Sequence, residues 1–177
     1  KTTFLRLISG IYSLTKGKIR RRSKIYPMIH KSLLTSEELS GIKAMKAHYL
    51  LINQNLKGFE SFCQNVVNFS GLGEYIYLPL KTYSQGMLSR LQFAILTGGS
   101  HECLALDEGF ATGDIDFQKK AYNRLTDFIS NSGTLFLASH SNELLLRFCK
   151  RGLVFEKGII AFDGSIENAL KFYEEKI

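Results

Sequence analysis

Two adjacent carboxylates close an apolar run: Cys103-Leu104-Ala105-Leu106 leads directly into Asp107-Glu108. A core strand that ends in two acids is costly unless a cation lies near, so the pair is a candidate for metal binding and for proton abstraction from water. A second apolar run, Thr134 to Ala138, ends in Ser139-His140, which delivers an imidazole in the same manner. Upstream, Ser84-Gln85-Gly86-Met87 heads a stretch in which Met87, Leu88, Leu91, Ala94 and Ile95 recur at helical spacing. Ser84 suits a helix cap, and Gly86 admits a close backbone approach, so amides and a hydroxyl could meet an anion such as a phosphate. Lys1-Thr2-Thr3 sets an ammonium and two hydroxyls before Phe4, Leu7, Ile8 and Ile11, again at helical spacing. Taken singly, each group has an ordinary reading as a cap, a core strand end or a surface residue.

The elements that must position these groups follow from periodicity. After Ser84 the pattern predicts a helix over 84–97, a strand over 102–106, a helix over 115–130 and a strand over 133–138. A helix over 141–148, strands near 152–156 and 159–163, and a helix over 165–176 complete it. Such alternation implies a parallel sheet covered by helices. Thr35 to Leu72 reads as loosely apolar helix, and Gly71 and Gly73 break it; Pro79 ends a short extended piece. Lys18 to Ile29 reads as two short strands. No internal repeat is visible.

A length of 177 residues predicts one domain with a proper core. No apolar run approaches the roughly 20 residues of a membrane span, and no signal peptide is visible. The formal charge of +7 is local: residues 1–24 carry eight Lys and Arg and no acid, while the other 153 residues carry 15 bases against 16 acids. A solvated hairpin edge accounts for Lys16, Lys18, Arg20, Arg21, Arg22 and Lys24, with an anionic surface or nucleic acid as the competing reading. Cys63, Cys103 and Cys149 have no paired spacing and read as reduced thiols.

Taken together and in order, these groups resemble the ATPase domain of an ABC transporter. Lys1-Thr2-Thr3 is similar to the end of the phosphate loop G-x-x-x-x-G-K-[ST], and Phe4 to Tyr12 and Gly17-Lys18-Ile19 look like the stretch directly after that loop. Cys103 to Glu108 resembles a Walker B segment, Ser84-Gln85-Gly86-Met87 the ABC signature, Ala111 to Asp114 the D-loop, and His140 the switch histidine. Lys81-Thr82-Tyr83-Ser84-x-Gly86-Met87, Arg90-Leu91-x-Phe93-Ala94 and Gly113-Asp114-x-x-Phe117-Gln118-x-Lys120 look like the branch that exports capsule, O-antigen or teichoic-acid polysaccharide. Cys149-x-Arg151, Glu156-Lys157-Gly158 and Tyr173 match the end of that branch.

The resemblance implies an α/β P-loop NTPase fold of ABC type, with a mostly parallel sheet flanked by helices. The single domain, 1–177, would divide into an α/β core of 1–34 and 98–177 and an inserted helical subdomain of 35–97. It implies ATP and Mg²⁺ as cofactors: Glu108 and His140 catalytic; Lys1, Thr2, Thr3, Ser84, Gly86 and Asp114 on nucleotide; Thr2 and Asp107 on metal. Implied partners are a second ATPase subunit in a homodimer and an integral membrane permease that handles the polysaccharide, at the cytoplasmic face of the inner membrane; nucleic acid is not expected.

Some residues depart from the pattern. The Q-loop position near Pro27 carries His30, which puts coupling to the permease in question, and Gln85 replaces a small signature residue. The first strand, its adenine-stacking aromatic and the loop glycines are expected to be lacking. Residues 1–177 alone are therefore expected to hydrolyse ATP weakly or not at all. A non-catalytic ABC subunit and a soluble ABC ATPase acting on nucleic acid are the alternatives.

Overall fold

The computed structural model describes residues 1–28, 36–99, 101–107, 114–131 and 133–176. Helix α1 (Thr2–Ile8) opens the chain, followed by strand β1 (Ile25–Met28). Helices α2 (Gly41–Asn53) and α3 (Phe59–Ser70) and two 3₁₀ turns (Gly73–Tyr77 and Leu80–Thr82) lead to α4 (Gln85–Gly98). Strand β2 (Cys103–Asp107), helix α5 (Ile115–Ser130), strand β3 (Thr134–Ala138) and helix α6 (Asn142–Phe148) come next. A hairpin of β4 (Arg151–Glu156) and β5 (Ile159–Ser165) and helix α7 (Ile166–Glu174) close the fold.

The strands β1, β2 and β3 form a parallel sheet in that order, with Met28 opposite Leu106 and Asp107 opposite Ala138. Parallel neighbours need a crossover, and α5 supplies the one between β2 and β3. The strands expected near 152–156 and 159–163 are β4 and β5, but they pair antiparallel in a two-stranded sheet of their own rather than joining the parallel one. One expectation fails: of the two strands expected over 18–29, the described residues, 18–28, form one, Ile25–Met28. Residues 18–24 are held to α1 instead, because the Arg21 guanidinium donates from Nε to the Ile8 carbonyl at 2.5 Å and from Nη2 to the Leu7 carbonyl at 2.7 Å.

Alternation along the strands decides which layer each side chain enters. Leu104 and Leu106 of β2 join Phe117, Ala121 and Leu125 of α5, with Phe93 and Leu96 of α4, in one core. The opposite face of the sheet presents Ala105 and Ala138 to Leu5 and Ile8 of α1. Two alanines there let α1 lie close against the sheet. Helix α4 is apolar nearly all round, as a central helix must be. Its Leu91, Ala94 and Ile95 pack on α2 and α3 while Phe93 and Leu96 face the sheet.

The two ends that matter for chemistry are fixed by local bonds. After α1, Gly10 adopts φ +79°, and the Gly10 and Ile11 amides bond to the Leu7 and Arg6 carbonyls, which is a Schellman closure. Ahead of α4, the chain is strapped to the start of α2: Leu80 N–H bonds to Leu39 O, Lys81 N–H to Glu37 O, and Gly41 N–H to Leu78 O. Tyr83, 7% exposed, donates its hydroxyl to Tyr75 O at 2.6 Å, and burial pushes its pKa up to about 12. A Cβ at Gly41 would lie 2.5 Å from that hydroxyl, so this glycine is required by close approach.

Candidate functional site

Because Ala105 faces α1, Asp107, two residues on, projects to the same side at the carboxyl end of β2. There Thr2, at the start of α1, donates its hydroxyl to Asp107 Oδ2 at 2.5 Å. His140, in the turn just beyond Ala138 of β3, reaches the same edge, its Nε2 lying 2.7 Å from Lys1 Nζ. A lysine ammonium can only donate, so His140 Nε2 accepts and its proton resides on Nδ1. The turn that carries His140 is set by Ser139, whose hydroxyl accepts from Ser141 N at 3.0 Å, and by Ser141, which caps α6 through Leu144 N. Sheet and helix thus bring four residues, 1, 2, 107 and 140, to one edge of the sheet. Ligands in open parallel α/β sheets bind outside the carboxyl ends of the strands, which is this edge.

The chemistry of the four is complementary to a metal–phosphate group. Lys1 supplies a cation and His140 an imidazole beside it. The Thr2 hydroxyl and the Asp107 carboxylate are hard oxygens of the kind Mg²⁺ takes, one or two from protein alongside water and phosphate. Among the described residues no group of three or more His, Cys, Asp and Glu forms a closed metal cage. The two oxygen donors, Thr2 and Asp107, suit an ion whose remaining ligands are water and phosphate oxygens. Thr3, exposed one position further along α1, extends the hydroxyl-bearing edge.

The remaining sequence-derived candidates lie elsewhere. Ser84 caps α4 by accepting from Met87 N at 3.2 Å. A Cβ at Gly86 would meet only Ser84 Oγ, at 3.9 Å, so among the described residues no packing requires a glycine there. Asp114 caps α5, accepting from Phe117 N at 2.8 Å, and takes an Arg90 hydrogen bond from Nη2 at 2.5 Å. The Phe117 amide first, and then Arg90, hold its carboxyl below the ordinary range. The Ser84 and Asp114 side chains bond to the first turns of α4 and α5 instead. Glu108, His30 and residues 111–113 lie outside the described residues.

Arg90 is a residue whose part the sequence does not disclose. Its guanidinium ties α4 to the head of α5 and sits 5.4 Å from the Phe117 ring centroid. Separated from Asp114 by 24 positions, it carries no local spacing signal.

The chain is 36% identical over 160 residues to the O-antigen export system ATP-binding protein RfbE of Yersinia enterocolitica, covering 90% of this chain and 67% of that protein. The chain belongs to the ATP-binding proteins of ABC-type O-antigen export systems. An O-antigen export system ATP-binding protein RfbB of Klebsiella pneumoniae is 29% identical over 175 residues, covering 99% of this chain and 71% of the relative. The ABC transporter protein AbcA of Aeromonas salmonicida is 26% identical, covering 99% and 57%. This member of the family spans 57% to 71% of the lengths of these relatives. No protein-family model matches it.

Solved structures agree on the fold of the O-antigen export ATPases. An ATP-binding subunit of an ABC transporter superposes with a TM-score of 0.83 at 14% identity, over 98% of this chain and 77% of that one. An RNase-L inhibitor superposes with a TM-score of 0.71 at 17% identity, over 100% and 35%. The α/β P-loop ABC ATPase fold expected from the sequence is therefore the fold of this chain.

Proposed function

We propose that this chain binds and hydrolyses ATP as the nucleotide-binding part of an exporter that moves O-antigen or a related polysaccharide across the inner membrane. The single observation that carries the reading is the convergence of Thr2 on Asp107 and Lys1 on His140 at one sheet edge. Lys1 would reach the terminal phosphates, and Thr2 and Asp107 would hold Mg²⁺ directly or through water. Mg²⁺, when bound, neutralises charge spread over the phosphate oxygens. His140 would contact the γ-phosphate, with its Nδ1 proton kept by the Lys1 bond at Nε2. Glu108, next along the chain, is assigned as the base that orients the attacking water.

Ser84 and Gly86, remote from that group in the chain, are assigned to the nucleotide held by a second copy. Two subunits would then sandwich two ATP molecules head to tail, and Asp114 with its D-loop would lie against the partner copy. Room for only an ordinary contact at Gly86, with Ser84 Oγ, and an exposed Thr3 support that reading. In the same reading, 35–97 forms the helical subdomain on a core of 1–34 and 98–177. A permease would carry the polymer, as the names of the O-antigen export relatives suggest; no described helix is long and apolar enough to cross a membrane. The ATPase works at the cytoplasmic face through that partner.

The test is ATP turnover and lipid-linked polymer transport in proteoliposomes holding the exporter. The expected result is loss of both with Asp107→Asn and with Glu108→Gln, and a cooperative dependence on the ATPase subunit. Unchanged turnover in both variants would overturn the assignment.

A further inference from the structure

The excess charge of this chain resides in one short segment, and the structure shows how it is presented. From residue 16 to residue 24 every even position is basic: Lys16, Lys18, Arg20, Arg22 and Lys24. All five are exposed, whereas Ile19, Ser23 and Ile25 between them are half-buried. The backbone bends at 15–17 and 22–23 and Gly17 takes φ +91°, so the five exposed bases form an irregular basic ladder along the loop rather than one face of a strand. Arg21, the odd-numbered exception, turns inward and anchors the segment by its bonds to the Ile8 and Leu7 carbonyls. Among the described residues none of Lys16, Lys18, Arg20 and Arg22 forms an ion pair. Lys24 leans over the Tyr26 ring, 5.0 Å from its centroid.

A second observation lies immediately before the ladder. Ile11, Tyr12 and Leu14 are 52%, 43% and 40% exposed, an apolar knob on the loop that Gly10 and Gly17 delimit. Arg6 donates to the Tyr12 hydroxyl at 2.6 Å and lies 5.3 Å from its ring centroid, which fixes the ring in place. Aliphatic side chains and a tyrosine next to clustered Lys and Arg match an anionic lipid surface: the bases meet headgroups and the apolar groups enter the acyl boundary. Single-stranded nucleic acid calls for several stacking platforms, whereas this knob offers one aromatic ring, Tyr12, already engaged by Arg6, beside the aliphatic Ile11 and Leu14.

We propose that residues 11–24 form a docking surface for an anionic phospholipid membrane. The surface is independent of the nucleotide site, and it would set the ATPase against the membrane by charge as well as through a permease. At about 1 kcal/mol for each base near an anionic surface, removing two bases lowers membrane partition about 25-fold.

The probe is flotation of the purified chain with vesicles of phosphatidylcholine, with and without phosphatidylglycerol, at low and high salt. Expected is binding that requires phosphatidylglycerol, weakens with salt, and falls about 25-fold in Lys18→Gln/Arg20→Gln. The control Lys119→Gln/Lys120→Gln on exposed positions of α5 removes the same charge and should leave binding unchanged. Ile11→Ser/Leu14→Ser should weaken binding without altering its salt slope. Failure to float at low salt overturns the proposal. So does equal loss in the ladder and control variants, which would mark a general charge effect. Tighter binding to single-stranded RNA, indifferent to Ile11 and Leu14, overturns it in favour of nucleic acid.

Discussion

Gly86→Ala should separate stability from function. Gly86 sits in the first turn of α4, outside the left-handed region, and an added Cβ would meet only Ser84 Oγ at an ordinary 3.9 Å. Glycine inside a helix costs roughly 0.5–1 kcal/mol relative to alanine. In a first turn the gain from replacing it lies near the lower figure, so the variant should be more stable by about 0.5 kcal/mol. For a chain of this size that raises the melting temperature by about 1–2 °C. Urea and thermal unfolding followed by circular dichroism measure it. ATP turnover of the assembled exporter should nonetheless fall by an order of magnitude or more, because the proposed reason for the glycine is approach by a nucleotide held on another copy. Destabilisation would show that something within the chain packs on Gly86. Unchanged turnover would show that no ligand needs the space, and either result would refute the reasoning.

Other perturbations test the contacts beneath the site. Thr2→Val and Asp107→Ala should be non-additive in urea unfolding, with a coupling of about 1 kcal/mol, because a hydrogen bond to a charged group is worth roughly 1.5–3 kcal/mol before allowance for partial exposure; additivity would mean the 2.5 Å contact contributes nothing. Gly152→Ala places a Cβ 2.5 Å from Ala169 Cβ and 3.1 Å from Ile166 Cδ1, so β4 and α7 must part; a loss of about 1–3 kcal/mol is expected, and a neutral melt would contradict that packing. His101 is kept neutral by burial first, then by His48 nearby, which lowers its pKa from 6.5 to about 4. The unfolded chain then binds the proton that the folded chain refuses, so stability falls as pH drops from 6.5 towards 4. His101→Gln should flatten that slope in urea midpoints measured across the range, and an unchanged slope would remove His101 as its source.

Much of the fold is legible in the sequence because periodicity and motif coincide. Phe117, Ala121 and Leu125 recur every four residues, and the helix expected over 115–130 is α5, Ile115–Ser130. The apolar runs ending in Asp107 and Ala138 are strands in register, which is why Asp107 and His140 share an edge with Lys1 and Thr2. Residues 18–24 escape such a reading because alternation alone suits any extended segment, and the decisive bonds come from Arg21 to carbonyls 13 and 14 positions earlier. The strap of Tyr83 on Gly41 and the pairing of Arg90 with Asp114 are likewise tertiary, joining residues that no periodic pattern relates. Periodicity reports which face is buried and says nothing of which distant group it meets.

The most direct test of the central claim, that residues 1, 2, 107 and 140 form a metal–phosphate site, is Mn²⁺ binding followed by electron paramagnetic resonance at millimolar ATP. The expected result is Mn²⁺ immobilised on the protein only when ATP is present, and released in Thr2→Val and in Asp107→Ala. Mn²⁺ bound equally without ATP, or held as firmly by both variants, would contradict it.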